Sequence, residues 1–335
     1  MTFTVPKFEL FTDDATKFLT GKIEIPGGSP IVVKIVKDSI TEGGSRLVTW
    51  TWEYWRSIHE EIMTHRALSR NSASSRAIPA KRMREMICAK PAIPIYWGQN
   101  QKGMQASAEI DDVETARKWW LEGLDFMAAH HAKGEALGLH KQIVNRAIQP
   151  WMTMAVVVSA TDHANLFHLR KHHAAEPHFQ CIATLAWELF HNHMPTFRTP
   201  GDWHLPYIED ADQYRGADGF GVANAGDLDF WKRVSVGRCA RVSYLTHEGK
   251  RDPQEDIRLH DQLAQTATLG ADPMHASPFE HQAVAMGGGR RYGNFEGWRQ
   301  YRKLFKYENG PDTNDRCFVC GCWGGRHVQG CTDTA

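Results

Sequence analysis

Pro30-Ile31-Val32-Val33-Lys34-Ile35-Val36, a Gly43-Gly44 turn, and Arg46-Leu47-Val48-Thr49-Trp50-Thr51-Trp52 decide the fold class. The first stretch has the β-branched density of a strand. The second alternates in polarity as a strand does. From Glu53 to Leu68 the period turns helical, with Trp55, Ile58, Ile62 and His65 on one face. Residues 69–79 are rich in Ser, Asn and Arg and read as a functional loop. Helices are expected over 112–140 and 151–194, the latter broken near Pro177, with a long connection over 197–229. A strand over 238–244, a helix over 253–269 and a strand after His281 follow. The pattern predicts an α+β fold, a twisted, mostly antiparallel sheet with a helical layer. Residues 1–308 form the catalytic domain in this reading, and 309–335 an appended Cys/His tail.

Composition narrows the function. The chain has 335 residues, with 39 Lys plus Arg against 39 Asp plus Glu, so its formal charge is zero. A surface that wraps a nucleic-acid polymer needs surplus positive charge, so no such partner is expected. The apolar run around Ala155 to Val158 is far short of the roughly 20 residues of a membrane helix. The first residues lack the blocks of a signal peptide, so a cytoplasmic location is expected (a host cytoplasm if the chain is phage-encoded). No dinucleotide fingerprint is complete: Asn224 stands where Gly219-Phe220-Gly221 would need its third glycine. Walker, nucleophile-elbow and His-Glu-x-x-His motifs are absent.

The densest chemical signal is Thr64-His65-Arg66-Ala67-Leu68-Ser69-Arg70-Asn71-Ser72-Ala73-Ser74-Ser75-Arg76, with three arginines and four serines. Guanidinium forks and hydroxyls of this kind bind anions, and a solvated polar loop is the plain alternative. Leu139 to Arg146, the stretch from Thr161 to Arg170, and His275-Ala276-Ser277-Pro278-Phe279-Glu280-His281 carry further polar groups.

At these residues the chain resembles the flavin-dependent thymidylate synthases. His65-Arg66 followed by Ser69, Asn71, Ser74 and Arg76 is similar to the signature of that family. Ala240-Arg241-Val242-Ser243-Tyr244, the segment 275–281, and Asn165 with Leu169-Arg170 and Ala175-Glu176-Pro177 resemble three more of its stretches. The resemblance covers residues 31–180 and 236–286. Two elements that come first in the family come last here, so the order is that of a circular permutation, similar to the divergent branch of tailed phages.

The resemblance implies reductive methylation of dUMP to dTMP, with 5,10-methylenetetrahydrofolate, FAD and NADPH as co-substrates and cofactors. It places His65, Arg66, Asn71, Asn165, Ser243, His275, Ser277 and Glu280 at FAD. It places Glu61, Ser74, Ser75, Arg76, Arg146 and Arg170 at the nucleotide, with Arg170 as the catalytic group. It also implies a homo-oligomer, a tetramer with sites between subunits. The chain departs from the family at Thr64 (usually Arg), Ser72 (usually Glu) and Ala77 (usually Tyr), and Glu61 replaces a common Gln. dCMP as substrate, or a 5-hydroxymethyl product, is therefore the alternative outcome.

The tail pattern Cys317-x2-Cys320-x6-His327-x3-Cys331 has the ligand types of a small zinc knuckle. An unstructured tail is the alternative. A zinc-knuckle nucleic-acid-binding protein, helped by the basic stretch 293–303, is the competing function class. A metallohydrolase is suggested by 18 histidines, but no ligand triplet appears in the sequence.

Overall fold

A computed structural model describes residues 3–213, 225–242, 252–268 and 274–305. Ser243, Cys317, Cys320, His327 and Cys331 lie outside the described residues, so the tail and one expected flavin contact have no structural account here.

The fold is α+β, with two sheets of mostly antiparallel strands. The first contains β1 (Glu9–Thr12), β2 (Leu19–Ile23), β3 (Ile31–Thr41), β4 (Arg46–Trp55), β5 (Ser69–Ser72), β6 (Thr153–Ala160) and β7 (Thr196–Arg198). Its order is β1-β2-β3-β4-β6-β5, antiparallel throughout, with β7 added parallel to β3. The second sheet holds β8 (Trp203–His204), β9 (Ala283–Ala285), β10 (Arg291–Tyr292), β11 (Phe295–Glu296) and β12 (Trp298–Gln300). The helices are α1 (His59–Met63), α2 (Ala80–Ala89), α3 (Val113–Ala136), α4 (Lys141–Val144), α5 (Ala164–Arg170), α6 (Pro177–Asn192), α7 (Asp210–Gln213), α8 (Ala225–Arg241) and α9 (Pro253–Thr268).

Alternation explains the central strands. Trp50, Trp52 and Tyr54 of β4, with Met154, Val156 and Val158 of β6, face one side and pack on Phe179, Ile182, Leu185 and Leu189 of α6. Ala155 and Val157 point the other way, toward Tyr207, Cys239 and Val242. α6 starts cleanly because Pro177 occupies its first turn and the Glu176 carboxylate accepts from the Phe179 N–H at 2.9 Å.

Four expectations are corrected. The segment expected to be helical over 53–68 continues β4 to Trp55, and its α-helix is only His59–Met63. Pairing of Glu53, Tyr54 and Trp55 with β6 outweighs the helical period. The start of the expected helical stretch 151–194 is instead β6, because a strand buried on both faces shows no polar alternation. The expected loop 69–79 begins as β5, paired with β6 from Ser69 to Ser72. Finally, Arg238 to Arg241, expected in a strand, closes helix α8. There Arg238 and Arg241 both bind the buried carboxylate of Asp256 on α9.

A buried polar chain stitches the two sheets together. Ser39 Oγ meets His204 Nδ1 at 2.9 Å, His204 Nε2 meets Thr49 Oγ1 at 2.8 Å, and Thr49 meets Ser159 at 2.7 Å. Ser159 Oγ then meets His281 Nδ1 at 2.9 Å. All five side chains are fully buried, and the chain secures the segment that carries His275, Ser277 and Glu280. Burial holds His281 neutral, with its pKa pushed down to about 3. Part of the unusual histidine count is thus interior structure: besides His65, the side chains of His131, His163, His178, His204, His260 and His281 are buried.

Candidate active site

Two groups of the expected residues meet beside β5. The first surrounds Arg170, the last residue of α5. Its Nη1 donates to Oε2 of Glu61 at 2.9 Å and its Nε donates to Nε2 of His65 at 2.9 Å. Its Nη2 donates to Oγ1 of Thr64 at 3.3 Å. The guanidinium lies over the ring of Phe179, 4.6 Å from the centroid, and that ring meets His65 edge-on at 5.5 Å.

Local structure explains why these side chains converge. Glu61 lies on α1, Thr64 caps its C-terminal end and His65 follows directly. A helix end leaves carbonyls without partners. Arg70 Nη1 fills that need, donating to the carbonyls of Ile62 and His65 at 3.0 Å each. Burial, then the nearby charges of Arg170 and Arg70, hold the His65 pKa below its ordinary value. A neutral His65 that accepts at Nε2 carries its proton on Nδ1.

The second group lines a cleft of about 510 Å³. Arg70, Asn71 and Ser72 of β5, with Ser74 and Arg76 beyond it, form one side; Gln142, His275 and Ser277 form the other. Asn71 is 2% exposed. Its Nδ2 donates to the Cys239 carbonyl at 2.8 Å, and its Oδ1 accepts from Ser277 Oγ at 3.3 Å. Asn71 therefore clamps the segment of His275 to the end of α8. Arg70 belongs to both groups, with its guanidinium under His65 and its side chain in the cleft wall.

Other expected residues stand apart. Arg66, Asn165 and Arg146 are exposed and do not line this cleft. Glu280 is ion-paired with Arg302, and its carbonyl accepts from Gln300 Nε2 at 2.9 Å. Ser75 is buried, 3.4 Å from Gln149 Nε2, and opens onto a different cavity beneath α2. Ser74 borders both spaces. Sequence reasoning passed over Arg70, Gln142 and Phe179 as site residues. The alternating burial of Ser69 to Ser72, which sets Arg70 and Ser72 apart from Ser69 and Asn71, follows from the pairing of β5 with β6 and has no counterpart in the sequence pattern.

The geometry has a definite chemical capacity. Guanidinium, hydroxyl, amide and imidazole donors face one open cleft, a composition suited to phosphate and other anionic groups. Next to it lies a half-buried arginine whose charge is balanced by Glu61, while the neighbouring imidazole stays neutral. Such an arginine can stabilise negative charge on a bound heterocycle.

No family model matches the chain, and no curated protein matches it. Among solved structures, the chain is similar to a UMP/dUMP methylase, PolB from Streptomyces cacaoi, bound with 5-Br dUMP. Identity is 14% and the TM-score is 0.34, over 43% of this chain and 64% of the methylase. The match thus spans less than two thirds of that protein's length. Among the described residues no helix is long and apolar enough to cross a membrane. Among the same residues no group of three or more His, Cys, Asp or Glu side chains is placed to hold a metal ion.

Proposed function

We propose that the chain transfers a one-carbon unit from methylenetetrahydrofolate to C5 of a pyrimidine deoxynucleotide, in the first instance converting dUMP to dTMP. The observation that carries this reading is the Arg170–Glu61–His65 cluster, joined through Arg70 to a cleft lined by serines and Arg76. Adding carbon at C5 builds negative charge on the pyrimidine oxygens, and a desolvated guanidinium can stabilise it by several kcal/mol. Arg170 is the group in position to do so. Ser74 and Arg76 would hold the nucleotide phosphate with charge-assisted hydrogen bonds.

The donor set of the cleft also fits the polar part of a flavin dinucleotide, with Asn71, His275 and Ser277 as its holders. FAD, reduced by NADPH, supplies the hydride when bound. A neutral His65 suits such a site, because it adds no charge that would compete with Arg170 for the base. Completion of the site by neighbouring subunits of a homotetramer, and a zinc ion on Cys317, Cys320, His327 and Cys331, belong to the same reading.

Glu61 admits a variant of the scheme. A carboxylate only accepts hydrogen bonds, so it can take the exocyclic amine of cytosine as well as the N3–H of uracil. dCMP is therefore the alternative substrate, and a 5-hydroxymethyl group the alternative product. The deciding experiment offers dUMP and dCMP together with FAD, NADPH and methylenetetrahydrofolate, and reads product masses. The purified protein is expected to be yellow and to bleach with NADPH. A colourless protein that FAD cannot reconstitute, with neither nucleotide changed in mass, overturns the proposal.

A further inference from the structure

The cavity beneath α2 has no part in the chemistry above. It measures about 650 Å³, within the range of sites that enclose small organic ligands. Met83 and Ile87 of α2, with Met152 and Met154 at the start of β6, give it an apolar, adaptable wall. Three cations, Arg56, Arg82 and Lys90, stand around it. None of the three has an ion-pair partner among the described residues. Arg56 is the most telling. It is only half-exposed, and its Nη1 meets the thioether of Met154 at 3.7 Å, no substitute for a carboxylate. Arg146 adds further positive charge nearby. Desolvated guanidinium without an anion is costly, and the usual remedy is a paired negative group. Glu53 is the single acid in the lining, so the cavity carries surplus positive charge.

We propose that this cavity is a second ligand site, for a small molecule that joins an apolar body to one anionic group, the body against Met83 and Met152 and the anion on Arg56. The site is separate from the nucleotide cleft, and Ser74, which borders both, is the wall between them. The inference rests on the lining and charge of the cavity alone and stands whichever pyrimidine the cleft accepts.

The test uses 8-anilinonaphthalene-1-sulfonate as the probe, an aromatic body with a single sulfonate, titrated into the full-length protein and followed by fluorescence. One saturable site is expected, displaced by 4-phenylbutyrate and left in place by inorganic phosphate or dUMP. Arg56→Met keeps the packing against Met154 and removes the charge; it should weaken the probe about tenfold or more. Met83→Trp should fill the cavity and abolish binding. Circular dichroism and thermal unfolding of both variants establish that they are folded. Should Met83→Trp fail to fold, Met86→Trp at the mouth replaces it. Unchanged affinity in folded Arg56→Met overturns the proposal. So does displacement by dUMP, which would make this cavity the nucleotide site, whereas failure of the proposed reaction would leave probe binding unaltered.

Discussion

Arg170 and His65, 105 positions apart in sequence, are joined by a 2.9 Å hydrogen bond from Nε of the first to Nε2 of the second. The bond does more than hold two side chains. It assigns the imidazole proton to Nδ1, and it places a cation where protonation of His65 is disfavoured. Glu61 balances the same guanidinium from the other side at 2.9 Å. Because Phe179 supports both Arg170 and His65, a core residue of α6 sets the position of the cluster.

Arg170→Ala should lower single-turnover product formation by about 10²–10³-fold or more, the scale of losing a preorganised charge-stabilising donor. Flavin binding should survive, since Asn71, His275 and Ser277 remain. The His65 pKa should also rise toward its ordinary value, because the cation that disfavours its protonation is gone. An NMR titration of the imidazole reads this independently of activity. A His65 titration unchanged by the substitution would show that the pair is not coupled.

Asn71→Ala removes the clamp between β5, α8 and the segment of Ser277. The Cys239 carbonyl, buried and served by Asn71 Nδ2 at 2.8 Å, loses that partner. An abandoned buried acceptor costs about 1–3 kcal/mol. Unfolding by urea should shift by that amount, and FAD retention through gel filtration should fall as well. Asn71→Asp would keep the shape but lose the donor, so it should not rescue. Wild-type stability in the alanine variant counts against the clamp.

The parts of this architecture that could be read from sequence are those with one polar face, even where that face is buried. β4 shows its alternation because Thr49 and Thr51 interrupt the tryptophans, with their hydroxyls turned to His204 and Tyr207. The run from Ala155 to Val158 hid its strand because both faces are apolar, and only pairing to β4 and β5 decides it. Arg238 to Arg241 misled for another reason: a short segment carries too little periodicity to outweigh the ion pairs with Asp256 that bind α8 to α9. At the site, Glu61, His65 and Arg170 could be anticipated through a family resemblance. Arg70 could not, because it serves backbone carbonyls, which no side-chain motif records.

Acid should destabilise the fold well above the carboxylate range. Burial lowers the pKa of His163 to about 4 and of His281 to about 3, against an ordinary 6.5. Above pH 6.5 each imidazole is neutral in both folded and unfolded chains, so the shift has no effect. Below it, the unfolded chain takes up protons first and stability falls until the folded pKa is reached. For His163 the window runs from about 6.5 to 4, worth roughly 3 kcal/mol at most. His163 stacks with Phe167 and meets Trp50 edge-on. Its Nε2 has no hydrogen-bond partner. His163→Phe gives up the ring's hydrogen bond to the Ala160 backbone, at a cost of about 1 kcal/mol at pH 7, and should lose less stability than wild type between pH 7 and pH 5. An equal pH slope in both proteins would exclude His163 as a source of the acid lability.

Two glycine substitutions should move stability in opposite directions, although both put alanine inside a helix. Alanine in a helix interior gains about 1 kcal/mol over glycine in propensity. At Gly134 of α3 the new Cβ would lie 3.6 Å from Val144, an ordinary contact, so Gly134→Ala should realise most of that gain. At Gly237 of α8 the Cβ would lie 2.3 Å from the Asp256 carbonyl oxygen and 2.6 Å from its Cα. Both atoms are backbone of α9 and cannot swing aside. The helices must separate, and Asp256 would move away from Arg238 and Arg241. Overpacking of this kind costs about 1–3 kcal/mol or more, and the strain on a buried ion-paired carboxylate adds to it. The steric term exceeds the propensity gain at Gly237, and Gly237→Ala should unfold at a lower temperature than wild type. A higher melting temperature for both variants would mean that α8 and α9 do not approach as closely as the Gly237–Asp256 contact requires.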